Sequence, residues 1–255
     1  MYSRLLVGTE DVVTPEQIDD RFEWDYAPPP TPYDLVRDSI VTKSARLALH
    51  SFVHPFIRTY NKLTVINREA VLDHWPCIIT PNHSSHMDTM AIFSSLPLRY
   101  VNRMFAVAAK DYFFRNGAVA FGARLIANVI PLDRTGAEKA GLQLSLTKLR
   151  EGRSILIFPE GTRTVTGDMG SFKKGAIMLS RQAKSPIIPA YIKGTLQSMP
   201  KATTFPRSVK IAVVYGKPLR YWEPPLDILE SSDAARHLEQ RVRTLQQTLE
   251  EDKTR

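Results

Sequence analysis

The segment NHSSHMD, from Asn82 to Asp88, concentrates side chains that can hold or transfer a proton. It follows the apolar run CIIT, from which it is separated only by Pro81, and such a run is typical of a buried strand that ends there. His83 and Asp88 are five positions apart, so on one continuous helix they would point about 140° away from each other. They can meet only if His83 lies in the turn before a helix that carries Asp88. We therefore predict a helix that starts around Ser84 to His86, with a serine as its N-cap.

In that arrangement Asp88 accepts a hydrogen bond from one imidazole nitrogen of His83 and leaves the other nitrogen as a general base. The result is a His-Asp dyad without an evident protein nucleophile, since neither Ser84 nor Ser85 is predicted to act as one. Two other interpretations stay open. In the first, His83 and Asp88 have a purely structural role at the start of the helix. In the second, His83, His86 and Asp88 are the ligands of a metal-dependent hydrolase.

A second polar segment, SILIFPEGTR, spans Ser154 to Arg163 and also follows an apolar run. Pro159 ends strand pairing, and the polar residues after it reach the same edge of the sheet as His83. A glycine permits close backbone approach, and the guanidinium fork of an arginine suits a phosphate. Lys173 and Lys174, in SFKKGA, precede a helix whose N-terminus favours an anion. A glycine turn with ordinary surface charges is the alternative.

Short apolar runs alternate with helical stretches along most of the chain. The strand candidates are LTVI, CIIT, MFAVAA, NVIPL, SILIF, PIIPAYI and VKIAVVYG. The helix candidates are 86–95, 111–125, 137–150, 175–183 and a last helix after Ser232 with Leu238, Val242, Leu245 and Leu249 on one stripe. This alternation predicts an α/β fold with a mostly parallel mixed sheet of about seven strands flanked by helices.

A basic, aromatic and amphipathic helix is predicted from Leu35 to about Tyr60, with Pro55 kinking or breaking it. Its longest uncharged apolar stretch, LALHSFVHPFI at Leu47 to Ile57, has only 11 residues, and no window of the sequence reaches the roughly 18 that a spanning helix needs. The helix could lie on a membrane surface or pack on the rest of the protein. The N-terminal sequence lacks the apolar region of a secretion signal, and the single cysteine, Cys77, favours a reducing compartment.

Charge is distributed unevenly over the 255 residues. Residues 1–34 hold two basic against eight acidic residues and end in a proline run, and residues 223–255 hold five against eight. The segment between them therefore carries 27 basic and 10 acidic residues. Such a field predicts an anionic partner: a membrane surface, a phosphorylated substrate or nucleic acid. Nucleic acid is disfavoured because no phosphate-binding loop or nucleic-acid motif is present.

Taken together, four segments resemble the conserved blocks of the glycerolipid acyltransferases, in family order and spacing. NHSSHMD matches their HxxxxD block, IPLDR at Ile130 to Arg134 resembles the second, FPEGTR the third and SPIIPAYI at Ser185 to Ile192 the fourth. The resemblance covers roughly Leu63 to Gly216 and is nearest to the bacterial 1-acylglycerol-3-phosphate acyltransferases.

The resemblance implies a role for each matched residue. His83 would be the general base and Asp88 its orienting partner, with the acceptor hydroxyl attacking an acyl thioester directly. The substrate phosphate would be bound by residues of the second and third blocks, namely Arg134, Glu160, Gly161, Thr162 and Arg163. Weaker candidates for donor or acceptor contacts are Lys110, Lys173 and Lys174.

The function implied is transfer of a fatty acyl group from acyl-CoA or acyl carrier protein to 1-acylglycerol-3-phosphate, giving phosphatidic acid, with no cofactor or metal. Another lysophospholipid or glycolipid acceptor, the metal-dependent hydrolase and a non-catalytic lipid- or nucleic-acid-binding module are the alternatives. The expected location is the cytoplasm, peripherally on the inner face of the membrane. The expected organisation is an acidic arm (1–34), a membrane-association helix (35–62), the acyltransferase domain (63–222) and a packed C-terminal helix (223–255).

Overall fold

A seven-stranded sheet forms the centre of the fold in the computed structural model, which describes residues 39–109, 122, 125–132, 138–164, 166–200, 203 and 205–251. In chain order the strands are β1 (Thr64–Ile66), β2 (Ile78–Pro81), β3 (Met104–Ala109), β4 (Ile130–Leu132), β5 (Ser154–Leu156), β6 (Ile187–Lys193) and β7 (Ala212–Tyr215). Every strand coincides with one of the apolar runs that predict strands, with β2 and β6 each ending one residue beyond its run, so the predicted strand set is confirmed.

The strands are ordered β1-β7-β6-β2-β5-β3-β4 across the sheet. β2 lies in the middle and runs parallel to both neighbours, with Ile78 beside Ile155 of β5 and Ile187 of β6. β6 and β7 are antiparallel, while β1 is parallel to β7 and β3 is parallel to β4 and β5. The prediction of a mostly parallel mixed sheet is therefore confirmed. All four residues of β2 are buried, as expected for a strand covered on both faces.

Helices cover both faces of this sheet. In the described part of the chain they are α1 (Ile40–Tyr60), α2 (Glu69–Leu72), α3 (Met87–Ser95), a 3₁₀ helix (Leu98–Arg103), α4 (Glu138–Arg150), α5 (Gly175–Ala183), α6 (Thr195–Ser198) and α7 (Ser231–Glu251). One apolar core, which includes Ile57, Met87 and Phe93, joins α1 and α3 to the sheet. A second core lies on the opposite face and includes Leu146, Ile177 and Leu238, from α4, α5 and α7. The predicted helix at 111–125 lies mostly outside the described residues.

Helix α1 runs without interruption through Pro55, so the expected break is wrong. Proline removes one backbone donor, but α1 packs against α3 and the 3₁₀ helix, with Arg46 bonded to Asn102 before Pro55 and Arg58 bonded to Ser94 after it. Its orientation is also unusual. The buried face carries Arg46, His50 and His54 beside Ile57, whereas its large apolar side chains face outward.

Polar side chains of α1, two of them buried and the third that of the exposed Arg58, form specific contacts with the body. Arg46 Nη1 donates to Asn102 Oδ1 at 2.9 Å, His50 Nε2 lies 2.8 Å from the Ile126 carbonyl oxygen, and Arg58 Nε donates to the Ser94 carbonyl at 3.1 Å. Burial, with the nearby His50 and Arg58, lowers the pKa of His54 to about 4. Burial and the Arg46 charge also lower the pKa of His50. Both imidazoles are therefore neutral in the folded protein near pH 7.

This burial predicts that the protein loses stability in mild acid. In the unfolded chain the imidazoles take up protons near their ordinary pKa of about 6.5, but folded His54 does so only near 4. The unfolded state then binds more protons, so the free energy of unfolding falls as the pH drops below about 6.5. For His54 we expect a loss on the order of 1 to 3 kcal/mol by pH 4.5. Urea unfolding at several pH values measures it.

The variant His54→Leu is the control, because leucine fills much of the same space but does not titrate. Its stability should fall less steeply than that of the wild type between pH 7 and pH 4.5, with His50 and the other buried histidines supplying the remainder. An equally steep fall in both proteins would contradict a contribution from His54.

Candidate active site

The site begins where β2 ends and the chain turns towards α3. Asn82 follows the last strand residue, and its side chain continues the ladder to β6. Its Nδ2 donates to the Ile192 carbonyl at 3.1 Å, and its Oδ1 accepts from Ile192 N at 2.7 Å. The amide thus takes the place of a backbone peptide group and fixes the point at which His83 leaves the sheet. This role of Asn82 is not predicted from the sequence, although the residue stands at the exit of a predicted strand.

His83 and Asp88 meet as the turn-then-helix geometry requires. His83 Nδ1 lies 2.9 Å from Asp88 Oδ2, with the aspartate fully buried and the histidine side chain 17% exposed. The same oxygen also accepts from the backbone N–H groups of Ser84 at 2.7 Å and Ser85 at 2.8 Å. With an ionised Asp88, Nδ1 carries the ring proton, and Nε2 is left with a lone pair. This arrangement can act as a general base.

Helix α3 begins at Met87, one residue beyond the predicted range, with His86 at the N-cap position. The His86 side chain makes no capping bond. Instead Ser85 Oγ accepts from Met87 N at 3.2 Å and donates to the Met199 carbonyl at 2.8 Å. A serine does cap the helix start, but from one position earlier than the N-cap. Ser85 is therefore committed to structure.

Glu160 holds the backbone of the histidine loop. Only 7% of Glu160 is exposed, and its two oxygens accept from His83 N at 2.7 Å and Gly170 N at 2.8 Å. Burial raises the pKa of Glu160, and the two N–H donors partly oppose that rise. The contacts give Glu160 a positioning role at the His83 loop, and its expected contact with a substrate phosphate stays a prediction.

Two further contacts fix His83. Its carbonyl accepts from Thr164 N at 2.9 Å, and its ring stacks on Phe158 with the ring centres 3.8 Å apart. The segment that follows β5 therefore holds His83 in two ways: Thr164 binds its backbone and Phe158 packs on its ring. Sequence analysis placed the two segments at one edge of the sheet, and the structure brings them into direct contact.

Cationic groups lie beside the dyad. Arg163 is half-buried, and after burial itself its charge is the largest cause that lowers the pKa of His86 to about 4. Lys173 lies against Gly161: a Cβ added to that glycine would be 3.1 Å from Lys173 Nζ. Lys174 occupies the N-cap position of α5. The structure thus gathers Gly161, Arg163 and Lys173 near His83.

The remaining candidates are placed less closely or lie elsewhere. Thr162 is exposed on the same loop. Arg134 and Lys110 lie outside the described residues. Among the described residues, no group of three or more His, Cys, Asp or Glu side chains is arranged to hold a metal ion. Asp88 Oδ2 is occupied by three N–H donors, which leaves it poorly suited as a ligand with His83 and His86.

Comparison with known proteins identifies the family. The family model described as Acyltransferase matches residues 62–193, slightly more than half of the 255 residues. The chain belongs to this acyltransferase family. The matched range contains both the His83 loop and the Glu160 segment, so the resemblance drawn from the sequence blocks is confirmed.

Individual acyltransferases are similar over part of their length. The human 1-acyl-sn-glycerol-3-phosphate acyltransferase beta is 34% identical over 119 residues, which are 45% of this chain and 40% of that protein. A probable 1-acyl-sn-glycerol-3-phosphate acyltransferase of Mycoplasma genitalium is 27% identical over 147 residues, 54% of this chain and 51% of that protein. The chain thus matches about half or less of these relatives.

The fold also has a solved counterpart. The crystal structure of the 1-acyl-sn-glycerophosphate acyltransferase PlsC from Thermotoga maritima superposes with a TM-score of 0.61. The two share 21% sequence identity, and the match covers 84% of each chain. This likeness establishes that the acyltransferase fold extends well beyond the matched family segment.

Proposed function

We propose that the protein is an O-acyltransferase that moves a fatty acyl group from a thioester to the free hydroxyl of 1-acylglycerol-3-phosphate, giving phosphatidic acid. The observation that carries the proposal is the 2.9 Å contact between His83 and a fully buried Asp88, within the segment that matches the family. The relatives named above as 1-acylglycerol-3-phosphate acyltransferases support the choice of acceptor.

The dyad supports direct transfer. His83 Nε2 removes the proton of the acceptor hydroxyl as its oxygen attacks the thioester carbonyl carbon. Asp88 stabilises the resulting imidazolium through the Nδ1 hydrogen bond. The tetrahedral intermediate collapses, the carbon–sulfur bond breaks, and the leaving thiolate takes the proton from His83. No acyl-enzyme forms, in keeping with Ser85 being bonded to Met87 and Met199.

The acceptor phosphate is proposed to lie against Arg163, whose charge acts on His86, and Lys173, whose side chain lies against Gly161. Charge-assisted hydrogen bonds from such groups are about twice as strong as neutral ones. Arg134 and Lys110 keep their proposed roles as a further phosphate contact and a donor contact. The donor is acyl-CoA or acyl carrier protein, whose anionic groups suit the same basic field, and no cofactor or metal is required by this chemistry.

Helix α1 is proposed to hold the protein on the surface of an anionic membrane. None of the helices in the described part of the chain is long and apolar enough to span a bilayer. However, α1 exposes Ile40, Val41, Phe52 and Phe56 to solvent, and apolar side chains so arranged along a helix suit an interfacial position. The proposed location is the cytoplasmic face of the membrane.

The reaction is tested with purified protein, palmitoyl-CoA and either 1-acylglycerol-3-phosphate or the matching 1-acylglycerol, which lacks the phosphate. Thiol release and mass spectrometry of the lipid product are measured. We expect acceptor-dependent release, formation of phosphatidate and a strong preference for the phosphorylated acceptor. The variant Arg163→Ala should weaken that preference, chiefly through a higher KM. Equal use of both acceptors by the wild type would contradict the proposed acceptor.

Glu160→Gln should lower kcat roughly 10- to 100-fold, with a smaller change in KM. Glutamine has one acceptor oxygen where glutamate has two, so either His83 N or Gly170 N loses its partner and the His83 loop shifts. A shift of about 1 Å at a catalytic group can cost about 100-fold. The measurement is steady-state turnover at several pH values, because a displaced His83 should also move the pH profile.

Glu239→Gln provides a matched control. Glu239 Oε2 likewise accepts a backbone bond, from Phe172 N at 3.2 Å, on the segment that follows Gly170, but it does not contact His83. Its replacement should leave kcat and the pH profile close to those of the wild type. Equal losses in the two variants would show that Glu160 only stabilises the fold.

A further inference from the structure

Four aromatic side chains lie at the outer surface of α1 and the segment that precedes β7. Phe52, Phe56 and Tyr60 face outward from α1, with the Phe56 and Tyr60 rings stacked 4.9 Å apart. Phe205 is 84% exposed, the highest exposure among the large apolar side chains of the described residues. We refer to Phe52, Phe56, Tyr60 and Phe205 as the aromatic face. Exposure of so much aromatic surface is costly in water and marks an interaction site.

The segment that directly follows Phe205 is bonded to the C-terminal end of α1. Tyr60 Oη donates to the Pro206 carbonyl at 3.3 Å, and Ser208 Oγ donates to the Tyr60 carbonyl at 2.8 Å. The buried Asn61 adds bonds from Nδ2 to the carbonyls of Arg207 at 2.9 Å and Val209 at 3.1 Å. These bonds place Phe205 one residue from the Tyr60 hydroxyl. The aromatic face is therefore one surface built from two distant parts of the sequence.

The same segment is attached to the catalytic loop. Arg207 N donates to the Ser198 carbonyl at 2.7 Å, and Ser198 Oγ donates to the Arg207 carbonyl at 2.8 Å, which closes the base of the segment that carries Phe205. At that base, Ser85 Oγ donates to the Met199 carbonyl. Ser85 N in turn binds Asp88. A short chain of hydrogen bonds thus connects the aromatic face to the dyad.

Charge around the aromatic face favours an anionic surface. Arg58, Lys62, Arg207 and Lys210 are exposed beside it on the same two segments. The sequence contains no acidic residue from Ser39 to Arg68 or between Asp168 and Glu223. Aromatic side chains rimmed by cations without acids suit the headgroup region of a bilayer that contains anionic lipids.

We propose that Phe205 is a second membrane-inserting element, which enters an anionic phospholipid bilayer together with the outward aromatics of α1. Two anchors on different segments fix the orientation of the protein, whereas α1 alone would permit rotation about its own axis. The segment after Phe205 is linked to the Ser85 loop through Ser198 and Met199, and the fixed orientation is expected to bring the His83 site to the lipid surface. The inference rests on the proposed function in that the acceptor and product are lipids of that bilayer.

The test is co-sedimentation of the full chain with vesicles of phosphatidylcholine alone or mixed equally with phosphatidylglycerol. Phe205→Ser should lower the partition coefficient on the mixed vesicles roughly 10-fold, since an interfacial phenylalanine gives up only part of its apolar area to lipid. Ile228→Ser is the matched control: Ile228 is 82% exposed, but its segment packs on α5, on the opposite face of the sheet, through Arg181 and the Leu229 carbonyl. Ile228→Ser should bind as the wild type does.

Equal partition of Phe205→Ser and the wild type, or no binding of wild type to mixed vesicles, would overturn the inference. A wild-type dimer in sedimentation without lipid that Phe205→Ser dissociates would also overturn it, in favour of a second copy as the occupant. Circular dichroism of each variant establishes that the fold is kept.

The failure of this inference can be told apart from failure of the proposed function. Turnover is measured with a short-chain acceptor that is monomeric in water and with the long-chain acceptor in vesicles, and Phe205→Ser should lower the vesicle-to-monomer ratio about 10-fold. Transferase activity without vesicle binding would remove the membrane role of Phe205 but leave the function. Phe205-dependent vesicle binding without transferase activity would contradict the proposed function but leave the membrane role of Phe205.

Discussion

Replacing His83 with alanine is expected to lower acceptor-dependent thiol release by about 10² to 10⁴-fold, the usual contribution of a general base. No other group is bonded to Asp88 through a side chain among the described residues, so none replaces the lost imidazole. The fold should persist, since His83 is partly exposed and its backbone bonds to Glu160 and Thr164 do not depend on the ring. Turnover is measured at saturating donor and acceptor.

Asp88→Asn extends the same prediction. Asparagine keeps the shape of aspartate and can still accept from Ser84 N and Ser85 N, but it lacks the charge that stabilises the imidazolium. We expect a loss comparable to that of His83→Ala with an unchanged circular dichroism spectrum. Retained turnover in both variants would eliminate the dyad as the base.

The hydrolase interpretation gives a different pattern. A metal site built on His83, His86 and Asp88 would make thiol release independent of the acceptor and sensitive to chelators. His86→Ala would then be as damaging as His83→Ala. For the transferase we expect His86→Ala to retain most turnover, because the dyad contact involves only His83 and Asp88.

The strands were predictable because each buried strand is a short run of apolar residues bounded by polar or proline residues. In a sheet covered on both faces, the central strands need no alternation, and β2 and β5 show none. The reversed direction of β1 and β7 was not predictable, since direction is set by contacts between strands and not by their composition.

The dyad was predictable for a similar local reason, as the five-residue spacing of His83 and Asp88 admits only one geometry in which they meet. The role of Glu160 was not, because its partners are the backbone N–H groups of His83 and Gly170, and such groups have no signature in the sequence. The inward polar face of α1 was also missed. Periodicity identifies two faces of a helix but does not decide which of them is buried.

A glycine beside the site carries the largest expected effect on stability. Gly194 joins β6 to α6 and has φ of +94°. A Cβ at this position would lie 2.1 Å from the Lys210 carbonyl oxygen, a backbone atom that has little room to move. The next residue, Ile211, is fixed by its N–H bond to the Asn61 carbonyl at 2.9 Å. Gly194→Ala must therefore shift the backbone at position 194 or the backbone at Lys210, which the Ile211 bond holds in place.

We expect Gly194→Ala to lower the free energy of unfolding by about 2 to 5 kcal/mol, combining the cost of a left-handed backbone with that of a steric overlap. Gly152→Ala isolates the first cost, because Gly152 has φ of +75° but nothing within 4 Å of an added Cβ. That control should lose only about 1 to 2 kcal/mol. Urea unfolding measures the free energy of both variants, and equal losses would mean that the Lys210 backbone moves aside at little cost.

Thr195 and Ser198 of α6 contact Ser84 and Met87. We therefore expect Gly194→Ala, unlike Gly152→Ala, to reduce turnover even in the fraction of protein that remains folded.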